Sequence, residues 1–255
     1  MDWDLPAIVL DTRPFGEGDV IATVMTAEHG AHRGLVRGGS SRAQAGLWQV
    51  GNFVQARWLA RLSDQLGSFR GELVHATAAS VMDDALALAM LTAVCGLAED
   101  ALPEREPHEA VFAGMVGLLP RLTLGETVLP ELVRWEMLLL ADLGFGLDLG
   151  SCAMTGATEG LAFVSPKTGR AVTAEAAGVW SNRLLRLPPF LISGAESNPA
   201  DWRDGLHVTG HFLARDVFGV RHRPLPMARR MLYDRVAALA DDSPPPADSE
   251  NRDAG

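Results

Sequence analysis

Lysine is nearly missing from this chain: of 22 basic residues only Lys167 is a lysine, and the others are arginine. No function is read from that bias. Cysteine is almost as scarce, and Cys95 and Cys152 are too few for a disulfide-built scaffold, so free thiols are expected. No apolar run approaches the roughly 20 residues that span a bilayer, so no membrane partner is expected. The start, Met1-Asp2-Trp3-Asp4, is acidic and has no apolar stretch behind it, so no secretory signal is read and a cytoplasmic location is the expectation.

Catalytic signatures are missing too. There is no G-x-S-x-G elbow, no Walker A loop and no G-x-G-x-x-G after a strand, so no enzyme and no cofactor is expected. Cys152 with Thr155 has the spacing of half a zinc knuckle, but the other thiols a structural zinc needs are lacking. His207 and His211 stand four apart on one helical face near Asp204, a geometry that could hold a metal. Nothing completes an H-E-x-x-H site, so a pair of half-exposed helix histidines is the simpler reading and no metal is assigned.

What the sequence does have is an interval free of acid. The formal net charge is -10, yet Ala31 to Arg61 contains five arginines (Arg33, Arg37, Arg42, Arg57, Arg61) and neither Asp nor Glu. Local potential, more than net charge, decides where an anion lands. From Asn52 to Arg61 the residues alternate. Val54, Ala56, Trp58 and Ala60 fall on one strand face, and Phe53, Gln55, Arg57, Leu59 and Arg61 on the other. The same rule groups Arg33, Leu35 and Arg37, and Arg37-Gly38-Gly39-Ser40-Ser41-Arg42 reads as a flexible basic loop. Guanidinium groups fork onto phosphates and aromatic faces accept any base, so the expected nucleic-acid track is Arg33, Arg37, Arg42, Arg57 and Arg61, with Phe53 or Trp48 as the stacking surface. The bland alternative is a set of strand arginines solvating an outer face.

Strand-like segments at 7–10, 20–26, 31–36, 52–60 and 68–74, separated by glycine-bearing turns, predict a small five-stranded barrel, with an OB-fold the leading candidate. On the last of these Phe69, Gly71 and Leu73 are expected to face inward, leaving Arg70 outside with Arg57 and Arg61. After His75 the apolar period changes from two to 3.6. Helices are predicted from Met82 to Leu97, from Val111 to Leu122 and from Pro130 to Gly144, the last apolar on most sides and so central in a bundle. Periodicity lapses from Leu147 to about Thr173, returns weakly over 174–187, and returns firmly at Leu206–Val217 and Ala228–Leu239.

The expected class is therefore α+β. Residues 1–76 form a barrel, 77–240 a helical domain with an irregular insertion at 147–173, and 241–255 an acidic disordered tail. A second basic cluster, Arg215, Arg221, His222, Arg223, Arg229, Arg230 and Arg235, faces only Asp216 and Asp234 and offers contacts for DNA or an acidic peptide.

Three segments in this order carry a resemblance: AIVLDTRPFGEGDVIATVMTAEHGAHRGLVRGG, RWEMLLLADLGFGLDLGSCAMTG and FVSPKTGRAV. Together they resemble the bacterial RecO family of recombinational repair proteins, over about residues 3 to 240. The resemblance implies an N-terminal OB barrel on a helical domain. The implied activity is binding of single- and double-stranded DNA and annealing of complementary strands. The implied partners are RecR, the acidic C-terminal peptide of single-strand-binding protein, RecA and also RecF, at the nucleoid. Arg13, Gly16 and Asp19 match the family's first hairpin; Gly30, Gly34, Arg37 and Gly38 its glycine-and-basic loop; Glu136, Leu139, Gly144 and Cys152 the later helix and turn. Some members carry four cysteines in the insertion, and only Cys152 stands here, so it is expected to be a degenerate zinc-finger-like element without metal. Arg121, Arg134, Arg229 and Arg230 are the candidate peptide-binding residues. The competing reading is an adaptor recruited by that peptide with little direct DNA binding.

Overall fold

The structure is a computed structural model and describes residues 2–62 and 65–242. All of the expected tail except Asp241 and Asp242 lies outside the described residues. Five strands, β1 (Asp2–Phe15), β2 (Asp19–Thr26), β3 (Gly30–Val36), β4 (Phe53–Leu59) and β5 (Ser68–His75), close a barrel in the order β1-β2-β3-β5-β4. Closure depends on the length of β1. Its first half pairs antiparallel with β4 (Trp3 opposite Trp58) and its second half with β2, with an irregularity between Val9 and Asp11 where the strand bends. A single parallel contact, Leu35 to Ser68, seals β3 to β5. This is the OB-fold the strand pattern predicts.

Alternation sorts the side chains. Ala7, Val9, Val20, Ala22, Val24, Val36, Val54, Ala56, Trp58 and Phe69 fill the barrel. The other face of the same strands is also covered, because Ile8, Leu10, Met25 and Ala31 belong to the core of the helical region. The unbroken apolar run Ala7–Leu10 is explained by this two-sided burial. Leu73 is a correction: it stays in register opposite Val54, but near the end of β5 the burial gives out after Gly71 and Leu73 is 47% exposed. Trp48 is a second. It follows the short helix α1 (Arg42–Ala45) and packs inside the barrel against Phe69, 2% exposed, so it presents no face to a base.

The helices begin with α2 (Thr77–Ser80) and α3 (Ala85–Ala101). The Asp84 carboxylate caps α3 by accepting the Leu86 and Ala87 N–H groups at 2.8 and 3.0 Å, so α3 starts later than Met82, which is exposed. Next come α4 (Glu109–Leu118), a 3-10 stretch (Leu119–Val128) broken at Gly125 with φ 67°, and α5 (Leu129–Asp142). Residues 109–142 together are long and apolar enough to cross a bilayer. They are nonetheless three segments, and α5 lies in the middle of the bundle against α4 and a later helix, with a carboxylate, Glu136, fully buried.

The expected irregular insertion contains two strands, β6 (Leu161–Val164) and β7 (Ala171–Thr173), which form a three-stranded sheet with β8 (Leu185–Arg186) beyond it, in the order β7-β6-β8. Cys152 is buried with Val172 and Ala177, and its sulfur accepts the Thr173 N–H at 3.4 Å. The helical reading of 174–187 is likewise replaced by α6 (Ala174–Ala177), a 3-10 turn and β8, because Gly178 at φ 45° ends the helix. A short α7 (Phe190–Ser193) leads to α8 (Pro199–Phe212), opened by a capping box of Asn198 and Asp201, and a wider turn (Leu213–Phe218) extends it. The last helix, α9 (Met227–Asp242), packs on α3 and α8.

Candidate nucleic-acid interface

Strand pairing regroups the arginines that the sequence strings together. Arg57 of β4 stands directly opposite Arg70 of β5, both exposed on the outer face. Arg70 also lines a concavity of about 620 Å³ together with Val36, Arg37, Gln44, Ser68, Phe69 and Gly71. Arg37 reaches it from the turn after β3. That turn is fixed by Gly38, whose φ of 64° favours glycine and whose N–H donates to the Asp19 carboxylate at 2.7 Å. Asp19 therefore holds the basic loop in place from the first hairpin. Among the described residues the side chains of Arg37, Arg42 and Arg70 make no ion pair or hydrogen bond.

The acid-free character of the interval is local to the sequence. β1 brings Asp4 opposite Arg57 and Asp2 opposite Leu59, and the Asp2 carboxylate lies 3.6 Å from the Arg57 guanidinium. Asp2 also lines a shallow depression with Leu59, Ala60 and Arg61. The positive face is consequently narrower than expected and strongest at Arg37, Arg42 and Arg70.

Arg33 leaves the face altogether. It points to the helical region, where it pairs with Glu99 at 3.2 Å and Glu104 at 2.8 Å. Glu99 also accepts from Arg13 at 3.3 Å, so one nearly buried carboxylate on α3 ties the first hairpin and β3 to the helices. Burial pushes the Glu99 carboxyl up, Asp100 adds to this, and Arg13 and Arg33 oppose it. The same seam is tightened at Gly30, where a Cβ would come within 1.8 Å of the Glu106 carbonyl oxygen. Phe53 is drawn to this boundary as well: it packs on the helical core and borders a small cleft with Ile8, His75 and Leu119. It is therefore not a stacking surface beside the arginines.

The second basic cluster comes apart for similar reasons. Arg223 pairs with Asp100, Arg221 donates to the Asp100 carbonyl, and Arg215 pairs with Asp216 at 2.7 Å. Arg229 is 2% exposed. Its guanidinium forks onto Glu136, donates to the Leu206 carbonyl at 2.8 Å and lies beside Thr209, whose hydroxyl donates to the same carboxylate. Arg229 is thus a core residue, closed to any partner. Its neighbour Arg230 is exposed and borders an apolar groove of about 510 Å³ between α8 and α9 with Met227, Met231 and Tyr233. His207 and His211 serve packing: the first lies 3.4 Å from the Tyr233 hydroxyl, the second 3.0 Å from the Pro166 carbonyl.

Arg121 and Arg134 do meet. With Trp135, Leu138, Gly114 and Gly117 they line a groove of about 330 Å³ between α4 and α5. Arg121 is bound to Glu131 at 2.7 Å, and Arg134 donates to the Phe190 carbonyl at 3.0 Å with its guanidinium over the Phe190 ring. Sequence reasoning missed Gln44, and it named Glu136 only as a match to the family's later helix, without the buried partner it has here. For Glu136 a signal existed, a carboxylate in the middle of an apolar helix, which demands a buried partner.

The family models agree with this architecture. "Recombination protein O N terminal" matches residues 1–77 and "Recombination protein O C terminal" matches 82–225. The chain is 57% identical over 244 residues to the DNA repair protein RecO of Granulibacter bethesdensis, covering 94% of this chain and 98% of that one. It is 56% identical over 240 residues to that of Acidiphilium cryptum (92% and 96% covered) and 51% identical over 247 residues to that of Gluconacetobacter diazotrophicus (94% and 96%). An OB barrel with a basic outer face, sealed to a helical bundle and matched over nearly its whole length, belongs to the RecO family of DNA repair proteins.

Proposed function

We propose that this protein binds single- and double-stranded DNA on the outer face of its barrel and anneals complementary strands, and that with RecR it helps RecA load onto DNA covered by single-strand-binding protein, RecF being a further partner. The observation that carries the DNA-binding part is that Arg37 and Arg70 line one exposed concavity, with Arg57 opposite Arg70 and, among the described residues, no acid in the lining. Annealing requires no bond chemistry. It needs backbone repulsion screened while base edges stay free, so phosphate contacts without base readout suit it.

Partner engagement is assigned to the helices. The groove between α4 and α5 combines an apolar floor, Trp135 and Leu138, with Arg121 and Arg134 at its border, which fits a peptide with an acidic body and an aromatic end. Arg230 provides an alternative contact from α9.

The test is strand annealing of two labelled complementary oligonucleotides by the Arg37→Glu/Arg70→Glu variant, beside binding of a labelled acidic peptide ending Asp-Ile-Pro-Phe. Loss of annealing with peptide binding kept supports the reading. Unchanged annealing overturns it and favours the adaptor, which Arg121→Glu/Arg134→Glu then tests by loss of the peptide.

A further inference from the structure

The concavity bordered by Arg37 and Arg70 has a third polar contributor whose orientation is fixed from below. Gln44, on α1, lines it, and the Gln44 Oε1 atom accepts the indole N–H of Trp48 at 3.1 Å. An indole nitrogen can only donate, so the amide oxygen must be the atom turned toward it. The amide nitrogen then occupies the other branch of the side chain, and among the described residues it has no partner. Trp48 is itself locked, 2% exposed and packed on Phe69 beneath Gly71.

We propose that Gln44, held by Trp48, is a phosphodiester-binding residue that completes a seat with Arg37, Arg70 and Ser68. This rests on the DNA-binding reading above and deepens it. Two guanidinium groups supply charge, while a neutral amide supplies a directed donor. Among the described residues no carboxylate lines the seat, which leaves Gln44, Arg37, Arg70 and Ser68 to donate to an anionic oxygen. Trp48, expected from the sequence to stack on bases, is here a positioning residue: its indole N–H determines which end of Gln44 faces the ligand.

The seat predicts a particular pattern of loss. Gln44→Ala removes a donor but no charge, so affinity for a labelled single strand falls about tenfold while the slope of log affinity against log salt stays the same. Arg70→Gln lowers affinity and also flattens that slope by about 0.7. Trp48→Phe keeps a ring in the barrel and frees the amide to turn, so it weakens binding in the same direction. Adding Trp48→Phe to Gln44→Ala costs nothing further, because the two act as one unit.

The experiment is fluorescence anisotropy of a labelled oligothymidylate, and of a duplex of equal length, against the full-length protein and these variants at several salt concentrations. Thermal melts accompany it to show that each variant is folded. A tenfold loss for Gln44→Ala with unchanged slope, and no added loss in the double variant, supports the seat on whichever strand form shows it. Wild-type affinity for Gln44→Ala overturns it, and if Arg70→Gln still weakens binding the wider DNA-binding reading stands. Wild-type affinity for both removes that reading too. Because Gln44 is on a short surface helix, Gln44→Ala decides the matter even if Trp48→Phe fails to fold.

Discussion

Arg57 and Arg70 sit directly opposite each other on β4 and β5, two cations in one cross-strand pair on the exposed face of the barrel. Like charges in that position repel, and Asp2 at 3.6 Å offsets the repulsion only from the Arg57 side. An anion laid across the pair would relieve it. Arg70→Gln is therefore expected to raise stability slightly at low salt, by about a few tenths of a kcal/mol, while weakening DNA binding. Melting curves at low and high salt check the first effect, which should vanish as salt screens the pair.

Arg33 should behave differently from Arg37, although both come from the same basic interval. Its charge is committed to Glu99 and Glu104. Arg33→Gln is expected to leave DNA affinity within about twofold of wild type and to lower stability by up to about 1 kcal/mol. Parallel anisotropy and urea unfolding separate the two roles.

The buried pair of Glu136 and Arg229, with Leu206 and Thr209, ties α5, α8 and α9 together. Removing one partner strands a charge in the core. Glu136→Gln or Arg229→Met alone is expected to cost about 3–5 kcal/mol in urea unfolding, and Glu136→Leu with Arg229→Met to recover much of that loss. A mild single-variant effect would mean that water reaches the pair.

His32 gives the barrel a pH dependence. It is 5% exposed, its ring meets Trp58 and Trp3 edge-on, and among the described residues neither ring nitrogen has a hydrogen-bond partner. Burial, with Arg105 and His29 adding to it, pulls its pKa down to about 4 from 6.5. The unfolded chain thus takes up the proton first as pH falls. The stability His32 provides is complete above about pH 6.5 and is lost progressively down to about pH 4. Thermal melts across that window should show the decline, and His32→Phe should flatten it.

The barrel was legible because two periodicities coincide in it. Alternation from Asn52 to Arg61 marks β4, and the run Ala7–Leu10 marks a strand covered on both sides. The polar ends of β1 were not legible, since Asp2, Asp4 and Arg13 join the strand through pairing with β4 and β2 and carry no apolar signal. The small sheet of β6, β7 and β8 escaped because strands of two to four residues are too short to show a period. The site was read in part. Arg37, Arg42, Arg57 and Arg70 were nameable from spacing, whereas the loss of Arg33 to Glu99 and of Arg229 to Glu136 depends on residues 66 and 93 positions away. Trp48 misled for a related reason: a tryptophan after a glycine-rich loop reads as exposed until the barrel that swallows it is known.

The most direct measurement is the salt dependence of single-strand binding by wild type and by Arg37→Glu/Arg70→Glu. Affinity of the wild type should fall steeply with salt, by about 0.7 log units per tenfold rise for each phosphate neutralised, and the variant should bind at least tenfold more weakly with a flatter slope. Wild-type binding that is indifferent to salt, or a variant that binds as tightly as wild type, would contradict a phosphate track on this face.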